Sequence, residues 1–196
     1  MQYIEMWFLF VINIWCVCVG DKYNREHVEN LCHMVDKNIT IQYKFNVLAD
    51  SKYSGWWAKI EMLSKATGPC IYFDLDTVIT GNIDYLEDYA RTSKLAAPAN
   101  WGQSGHGGIQ SSVMCWNGNL QEVDEKFNYE SDSKRLHGDQ CFLTELFGND
   151  YTKLPGVYSY KYHATRALPE DAKVVCFHGK PDYWEVSHEW INQALS

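Results

Sequence analysis

Two aspartates one residue apart, Asp74 and Asp76, follow the apolar run Ile71, Tyr72, Phe73. A strand this apolar ends in a buried place, and two carboxylates there cannot both stay ionised without a compensating cation. Side chains alternate along an extended chain, so Asp74 and Asp76 share one side while strand geometry persists, and Leu75 anchors the other. Hard carboxylate oxygens suit Mg²⁺ or Mn²⁺, which in turn neutralise a diphosphate. Taken alone, the pair reads equally as a strand that ends in a solvated acidic turn. A second apolar run, Val174 to Phe177, closes on His178, Gly179, Lys180 and Pro181. A neutral imidazole is a good third ligand for Mn²⁺, and glycine lets backbone approach phosphate oxygens. Lys180 adds a charge that can pair with the diphosphate. A lone His178 reads rather as a strand-end histidine beside an ordinary Gly-Lys-Pro turn, but taken together the two segments make Asp74, Asp76 and His178 the expected metal ligands.

The elements that must position these residues are legible in the hydrophobic pattern. Residues 12–19 are rich in β-branched side chains and end at Gly20-Asp21, which predicts a buried strand entering a turn. The longer apolar run over residues 6–19 has no preceding Lys or Arg and is shorter than the ~20 residues of a spanning helix. Residues 1–11 are set aside as an N-terminal extension. Asn24 can cap a helix whose apolar positions Val28, Leu31, Cys32 and Val35 follow helical spacing. Residues 39–48 alternate as a second strand, and Gly55-Trp56-Trp57 opens a helix that Thr67-Gly68-Pro69 ends. Residues 112–116 read as a strand, and the polar stretch onward to Leu136 reads as loops of the kind that bind ligands. Gly138-Asp139-Gln140 precedes an apolar helix, residues 172–178 form a last strand, and residues 184–195 a covering helix. Strands alternating with helices predict an α/β, Rossmann-like domain over residues 1–196. Its central sheet is expected to be mostly parallel and flanked by helices, with ligands at the carboxyl ends of the strands.

Composition narrows the function. With 46% hydrophobic residues in 196, the chain can bury one substantial core. A formal charge of −8 repels a nucleic-acid backbone, so general nucleic-acid binding is not expected. Seven cysteines (Cys16, Cys18, Cys32, Cys70, Cys115, Cys141 and Cys176) lack the Cys-x-x-Cys spacing of a zinc site. Their odd number favours free thiols and a cytoplasmic protein, and the short apolar run over residues 6–19 leaves no transmembrane segment expected. Trp56, Trp57, Trp101 and Trp116 either stack on a sugar or base, or pack as core and rim. His106 lies in a Gly- and Ser-rich segment that reads as a closing loop or a loose tip.

Several of these segments together resemble one family. Phe73-Asp-Leu-Asp-Thr-Val-Ile79 with Gly81-Asn-Ile-Asp84, the upstream Gly55-Trp-Trp-Ala-Lys-Ile60, Ser111-Ser-Val-Met114, Gly138-Asp-Gln140 and Phe177-His-Gly-Lys-Pro181 are similar to landmarks of small bacterial and phage GT-A-type glycosyltransferase-like proteins. These have the nucleotide-diphospho-sugar transferase fold and are similar in plan to the retaining glycogenin and galactosyltransferase group. The early Val19-Gly-Asp-Lys-Tyr23 also resembles their first β-turn-α unit. The resemblance implies a metal-dependent transfer of a hexose from a UDP-sugar to an unspecified acceptor, with retention. It implies that Val19, Gly20 and Tyr23 line the base and ribose pocket, that Lys59 faces the donor, and that Asp74 touches the ribose or the metal. Asp76 and His178 would ligate Mn²⁺ (or Mg²⁺), with Gly179 and Lys180 at the diphosphate. Ser111 and Ser112 would border the donor sugar, and Asp139 and Gln140 would hold its hydroxyls. The catalytic set is then Asp139, Gln140 and Lys180. Two positions depart from the family: Gln110 where an Asn is usual, and Asp182-Tyr-Trp184 in place of a second Lys-Pro-Trp. A nucleotidyltransferase and a catalytically silent sugar-nucleotide binder remain the alternatives. The acceptor can be a glycan, a protein, a small molecule or a modified nucleobase.

Overall fold

The run Ile12, Ile14, Cys16 buries every second side chain, as a half-buried strand does, and forms β1 (Ile12–Val17). The computed structural model describes residues 11–102 and 108–196, so His106 and residues 1–10 of the proposed extension lie outside the described residues. After β1 the chain turns at Gly20, whose φ of +84° is left-handed backbone that favours glycine. Asn24 then caps α1 (Arg25–Asn38) as expected: its side chain accepts from the amides of Glu26 and His27 at 3.0 and 3.4 Å. There follow β2 (Tyr43–Leu48), a single 3₁₀ turn (Gly55–Trp57) leading into α2 (Ala58–Lys65), and β3 (Pro69–Phe73). The chain continues through β4 (Thr77–Ile79), α3 (Leu86–Thr92), β5 (Ala96–Ala97) and β6 (Val113–Asn117).

The polar stretch after β6, expected as loops, is instead two short helices, α4 (Gln121–Lys126) and α5 (Tyr129–Arg135). Val123 and Phe127 are too sparse to advertise a helix, yet they anchor this segment in the core, and the Asn128 side chain caps α5 by accepting from the Ser131 amide. The remaining elements are α6 (Asp139–Phe147), β7 (Thr152–Lys153), β8 (Val157–Ser159), a π turn (Tyr160–Ala164), β9 (Val174–Cys176), a 3₁₀ turn (Tyr183–Glu185) and α7 (Glu189–Leu195). The expected C-terminal helix is thus split: the chain becomes extended at Val186 after the 3₁₀ turn, and α7 begins only at Glu189.

The main sheet has the order β2-β1-β3-β6-β5-β7. The parallel arrangement expected from the sequence holds across β2, β1 and β3, whereas β6 runs antiparallel to both its neighbours, and the sheet is mixed. The chain reverses between β5 and β6, where Ala99 and Ile109 are bridged antiparallel. Both faces of the sheet are covered. On β3, Ile71 and Phe73 enter one core cluster while Cys70 and Tyr72 enter the other, and β6 divides Val113 and Cys115 from Met114 and Trp116 in the same way. This is why both strands read as unbroken apolar runs.

A second sheet, β4-β9-β8, was not anticipated. Thr77 pairs with Cys176 and Ile79 with Val174, so the end of β9 lies against the start of β4. The Phe177 amide donates to the Asp76 carbonyl at 2.9 Å, which ties two segments a hundred residues apart into one ridge. If the Asn24 cap fixes the turn that feeds this ridge, Asn24→Ala will lower the unfolding free energy by about 1 kcal/mol, measured by urea denaturation.

Candidate functional site

A cavity of about 650 Å³ opens at the carboxyl ends of β1 and β3. Each side is built by a different element. The β1–α1 turn contributes Val19, Gly20, Lys22 and Tyr23; the segment entering α2 contributes Trp56 and Lys59; and the end of β3 contributes Tyr72, Asp74 and Asp76. Gln110, Ser111 and Ser112 precede β6, Asp139 and Gln140 begin α6, and His178 and Gly179 follow β9. The turn at the aspartates is fixed by backbone bonds: the Asp74 amide donates to the Ser112 carbonyl at 2.8 Å, and the Thr77 hydroxyl donates to the Asp74 carbonyl at 2.8 Å. Gly179 sits at φ +70°, so the chain leaves β9 by a backbone path that side-chain-bearing residues rarely take.

The floor is a buried ion network around Lys59, which is only 4% exposed. Its ammonium lies 3.0 Å from Asp74 Oδ1 and 3.0 Å from Asp139 Oδ2, and it donates to the Ser111 carbonyl at 3.2 Å. Ser111 Oγ donates to Asp139 at 2.6 Å, and the Tyr72 hydroxyl donates to Asp74 at 2.6 Å. Burial pulls the Lys59 ammonium toward neutrality, but the Asp139 and Asp74 carboxylates outweigh it and hold its pKa above the ordinary lysine value. Gln110, the departure noted in the sequence, braces Ser112 by donating to its hydroxyl at 2.7 Å and accepting from its amide at 2.9 Å.

The second acid faces a different cation. Asp76 Oδ2 accepts from the Tyr23 hydroxyl at 2.7 Å and from Lys22 at 3.0 Å. Burial first, and Asp74 second, push the Asp76 carboxyl up to about 6, against the opposing pull of Lys22 and Tyr23. Asp76 thus behaves as its sequence context predicts, buried, repelled by Asp74 and in need of positive charge, whereas Asp74 is only half-buried.

His178 lines the same cavity, with its ring stacked between Trp101 and Tyr162 at 5.9 Å from each. Its Nε2 is 2.7 Å from Ser159 Oγ. Burial, and then Lys161, lower its pKa, so the imidazole is neutral at neutral pH, the form that binds metals. Among the described residues no three His, Cys, Asp or Glu groups already stand as a ligand set; in the present arrangement Lys22 and Lys59 are the cations at the two acids. The donor chemistry nevertheless fits a hard divalent ion: two carboxylates and a neutral imidazole line one cavity, and the Asp76 carboxyl stays raised although Lys22 and Tyr23 face it.

Twelve of the expected site residues line the cavity: Val19, Gly20, Tyr23, Lys59, Asp74, Asp76, Ser111, Ser112, Asp139, Gln140, His178 and Gly179. Lys180 does not. Its side chain is 71% exposed and pairs with Asp182 at 2.7 Å and Glu185 at 2.6 Å. Sequence reasoning assigned no role to Lys22, although it stands inside the quoted Gly20-Asp21-Lys22 turn, and none to Tyr72, whose place in an apolar strand hid its hydroxyl. Of the four tryptophans weighed, Trp57 and Trp116 are core, whereas Trp56 is 60% exposed on the cavity wall. The seven cysteines are free thiols.

Over 135 residues the chain is 31% identical to glycogenin-1 of Mus musculus, a match of 61% of this chain and 38% of the relative. It is 29% identical over 142 residues to glycogenin-1 of Oryctolagus cuniculus, covering 64% and 40%. The chain therefore matches about two fifths of the length of these curated relatives. No model of a protein family matches. Among solved structures, the glycosyltransferase GlyE of Streptococcus pneumoniae TIGR4 superposes with a TM-score of 0.66 at 15% identity, over 95% of this chain and 60% of that one. Its apo form gives 0.68 at 16% over 95% and 61%. A glycosyltransferase involved in the glycosylation of the major capsid of PBCV-1 gives 0.56 at 13%, over 94% and 98%. The fold is that of the GT-A glycosyltransferases.

Two outcomes follow from the buried charges. Lys59→Met leaves Asp74 and Asp139 facing each other without their cation and will cost about 3–5 kcal/mol in urea unfolding, part of which Asp139→Asn will restore. The folded-state pKa of Asp76 lies above its unfolded value, so its contribution to stability is complete below the ordinary carboxylate value of 3.8 and is lost as pH rises through about 6. Relative to Asp76→Asn, the wild-type protein will therefore lose stability across that window and not above it.

Proposed function

We infer that this chain, which carries the GT-A glycosyltransferase fold, transfers a hexose from a UDP-sugar to an acceptor, with retention, using a divalent metal. The observation that carries this reading is the meeting of Asp74, Asp76 and His178 with the Lys59–Asp139 network in one cavity beside the Gly20 turn. Asp74, Asp76 and His178 would hold Mn²⁺ or Mg²⁺. When bound, the metal supplies positive charge to a departing diphosphate.

The protein's own groups divide the remaining work. Val19, Gly20 and Tyr23 receive the base and ribose, because the Gly20 turn brings backbone close to the ligand without a side chain in the way. Asp139 is fixed by Lys59 and Ser111, so its carboxylate holds one orientation beside the donor sugar and opposes the positive charge that develops at the reacting carbon. Because Lys59 and Ser111 hold it before substrate arrives, little reorganisation accompanies the reaction. Gln140 and Ser112 offer hydrogen-bonding groups to sugar hydroxyls. Lys180 can serve the diphosphate only by exchanging Asp182 and Glu185 for it.

The acceptor is a glycan, a protein, a small molecule or a modified nucleobase, and the reaction is assigned to the cytoplasm on its free thiols. Among the described residues no helix is long and apolar enough to cross a membrane. The test is turnover of a panel of UDP-sugars with Mn²⁺, read as release of UDP. The wild-type protein will turn over at least one; Asp76→Ala will abolish this while remaining folded, and Asp139→Asn will lower kcat by about 10²–10³. Full turnover by Asp76→Ala, or in excess chelator, contradicts the reading, as does calorimetric binding of UDP with no turnover of any donor.

A further inference from the structure

The turn after β1 brings the Lys22 ammonium within ion-pair distance of two buried acids. It lies 3.0 Å from Asp76 Oδ2 and 3.6 Å from Asp182 Oδ1. Asp76 is 6% exposed and Asp182 only 2%, whereas half of the Lys22 side-chain surface is open to solvent. Asp182 is itself divided: Oδ2 is paired with Lys180 at 2.7 Å, while Oδ1 is buried and accepts no hydrogen bond. A buried carboxylate oxygen without a hydrogen-bond donor costs free energy that a bound ligand can recover. That orphaned oxygen faces the same ammonium as Asp76.

We propose that Asp76 and Asp182 are opposite walls of one cation site, that Lys22 fills it with its own ammonium, and that a divalent metal enters by displacing Lys22 into solvent. The proposal rests on the metal-dependent reading of the cavity and adds Asp182, where the sequence departs from the related pattern, to the groups that meet the ion. Displacement is favourable on three counts. A dication brings two charges to a place where the ammonium brings one. Asp182 Oδ1 exchanges an ammonium 3.6 Å away, too far to hydrogen-bond, for a direct ligand bond. Lys22, carried on a turn and already half in water, regains full hydration at small cost. Before metal arrives, the same ammonium supplies positive charge to both buried carboxylates.

The test is a Mn²⁺ titration of the purified full chain without nucleotide, read from the electron paramagnetic resonance signal of free Mn²⁺. Lys22→Met will bind Mn²⁺ about tenfold more tightly than the wild-type protein, because the competing charge is gone. Lys22→Arg, which keeps the charge, will stay near wild type. In the double variant Lys22→Met, Asp182→Asn the gain will disappear. Circular dichroism establishes that each variant is folded, and Lys22→Gln replaces Lys22→Met should the latter not be. An affinity of Lys22→Met equal to or weaker than wild type overturns the proposal, and so does an absence of Mn²⁺ binding in both. A double variant that keeps the gain removes Asp182 from the site and overturns it as well. Tightened Mn²⁺ binding in a protein that turns over no UDP-sugar would count against glycosyl transfer alone; turnover with unchanged Mn²⁺ affinity would count against this inference alone.

Discussion

A lysine ammonium that is almost wholly removed from water needs anionic partners on more than one side, and the way Lys59 finds them organises the cavity. Asp74 comes from the end of β3, Asp139 from the first turn of α6, and the Ser111 carbonyl from the segment entering β6. Three parts of the chain must therefore be in place before Lys59 is satisfied, and once it is, none of them can move independently. The carboxylate that would face a donor sugar and the carboxylate that would face a metal are set at a fixed separation by the same positive charge. Among the lining residues four aspartates stand against two lysines, so the cavity as a whole favours positive charge.

The small sheet provides the second constraint. Pairing of β4 with β9 carries His178 and Gly179 to the wall that holds Asp76, and the Phe177 amide to Asp76 carbonyl bond fixes their register. A one-residue slip there would turn the strand's side chains to the opposite face and take the site apart. Site and core thus depend on the same ladder: Val174, Val175 and Cys176 are fully buried within it.

Much of this was legible in the residues because burial writes periodic patterns. β1, the Asn24 cap, α2 and β3 follow from alternation, capping and helical spacing, and most of the expected site residues meet because they stand at the ends of apolar strands. What escaped has physical reasons. The antiparallel entry of β6 depends on a reversal between β5 and β6 that leaves no mark on the strand itself, since a strand buried on both faces reads the same in either direction. The helices α4 and α5 hold few apolar anchors, so their period is faint. Lys180 and Lys22 illustrate the limit at the site: both are lysines beside glycine-containing turns, and only the folded arrangement of acids decides that Lys22 faces the cavity while Lys180 pairs with Asp182 and Glu185.

The central claim is that the excess of carboxylate draws a divalent ion to Asp76, within the cavity proposed to receive the nucleotide. Its most direct test is an anomalous-scattering map at the manganese edge from crystals soaked in UDP and Mn²⁺. The account predicts a single strong peak about 2.0–2.6 Å from a carboxylate oxygen of Asp76, in contact with the diphosphate. Ordered UDP in the cavity without a peak at Asp76, or a peak at some other site alone, would contradict it.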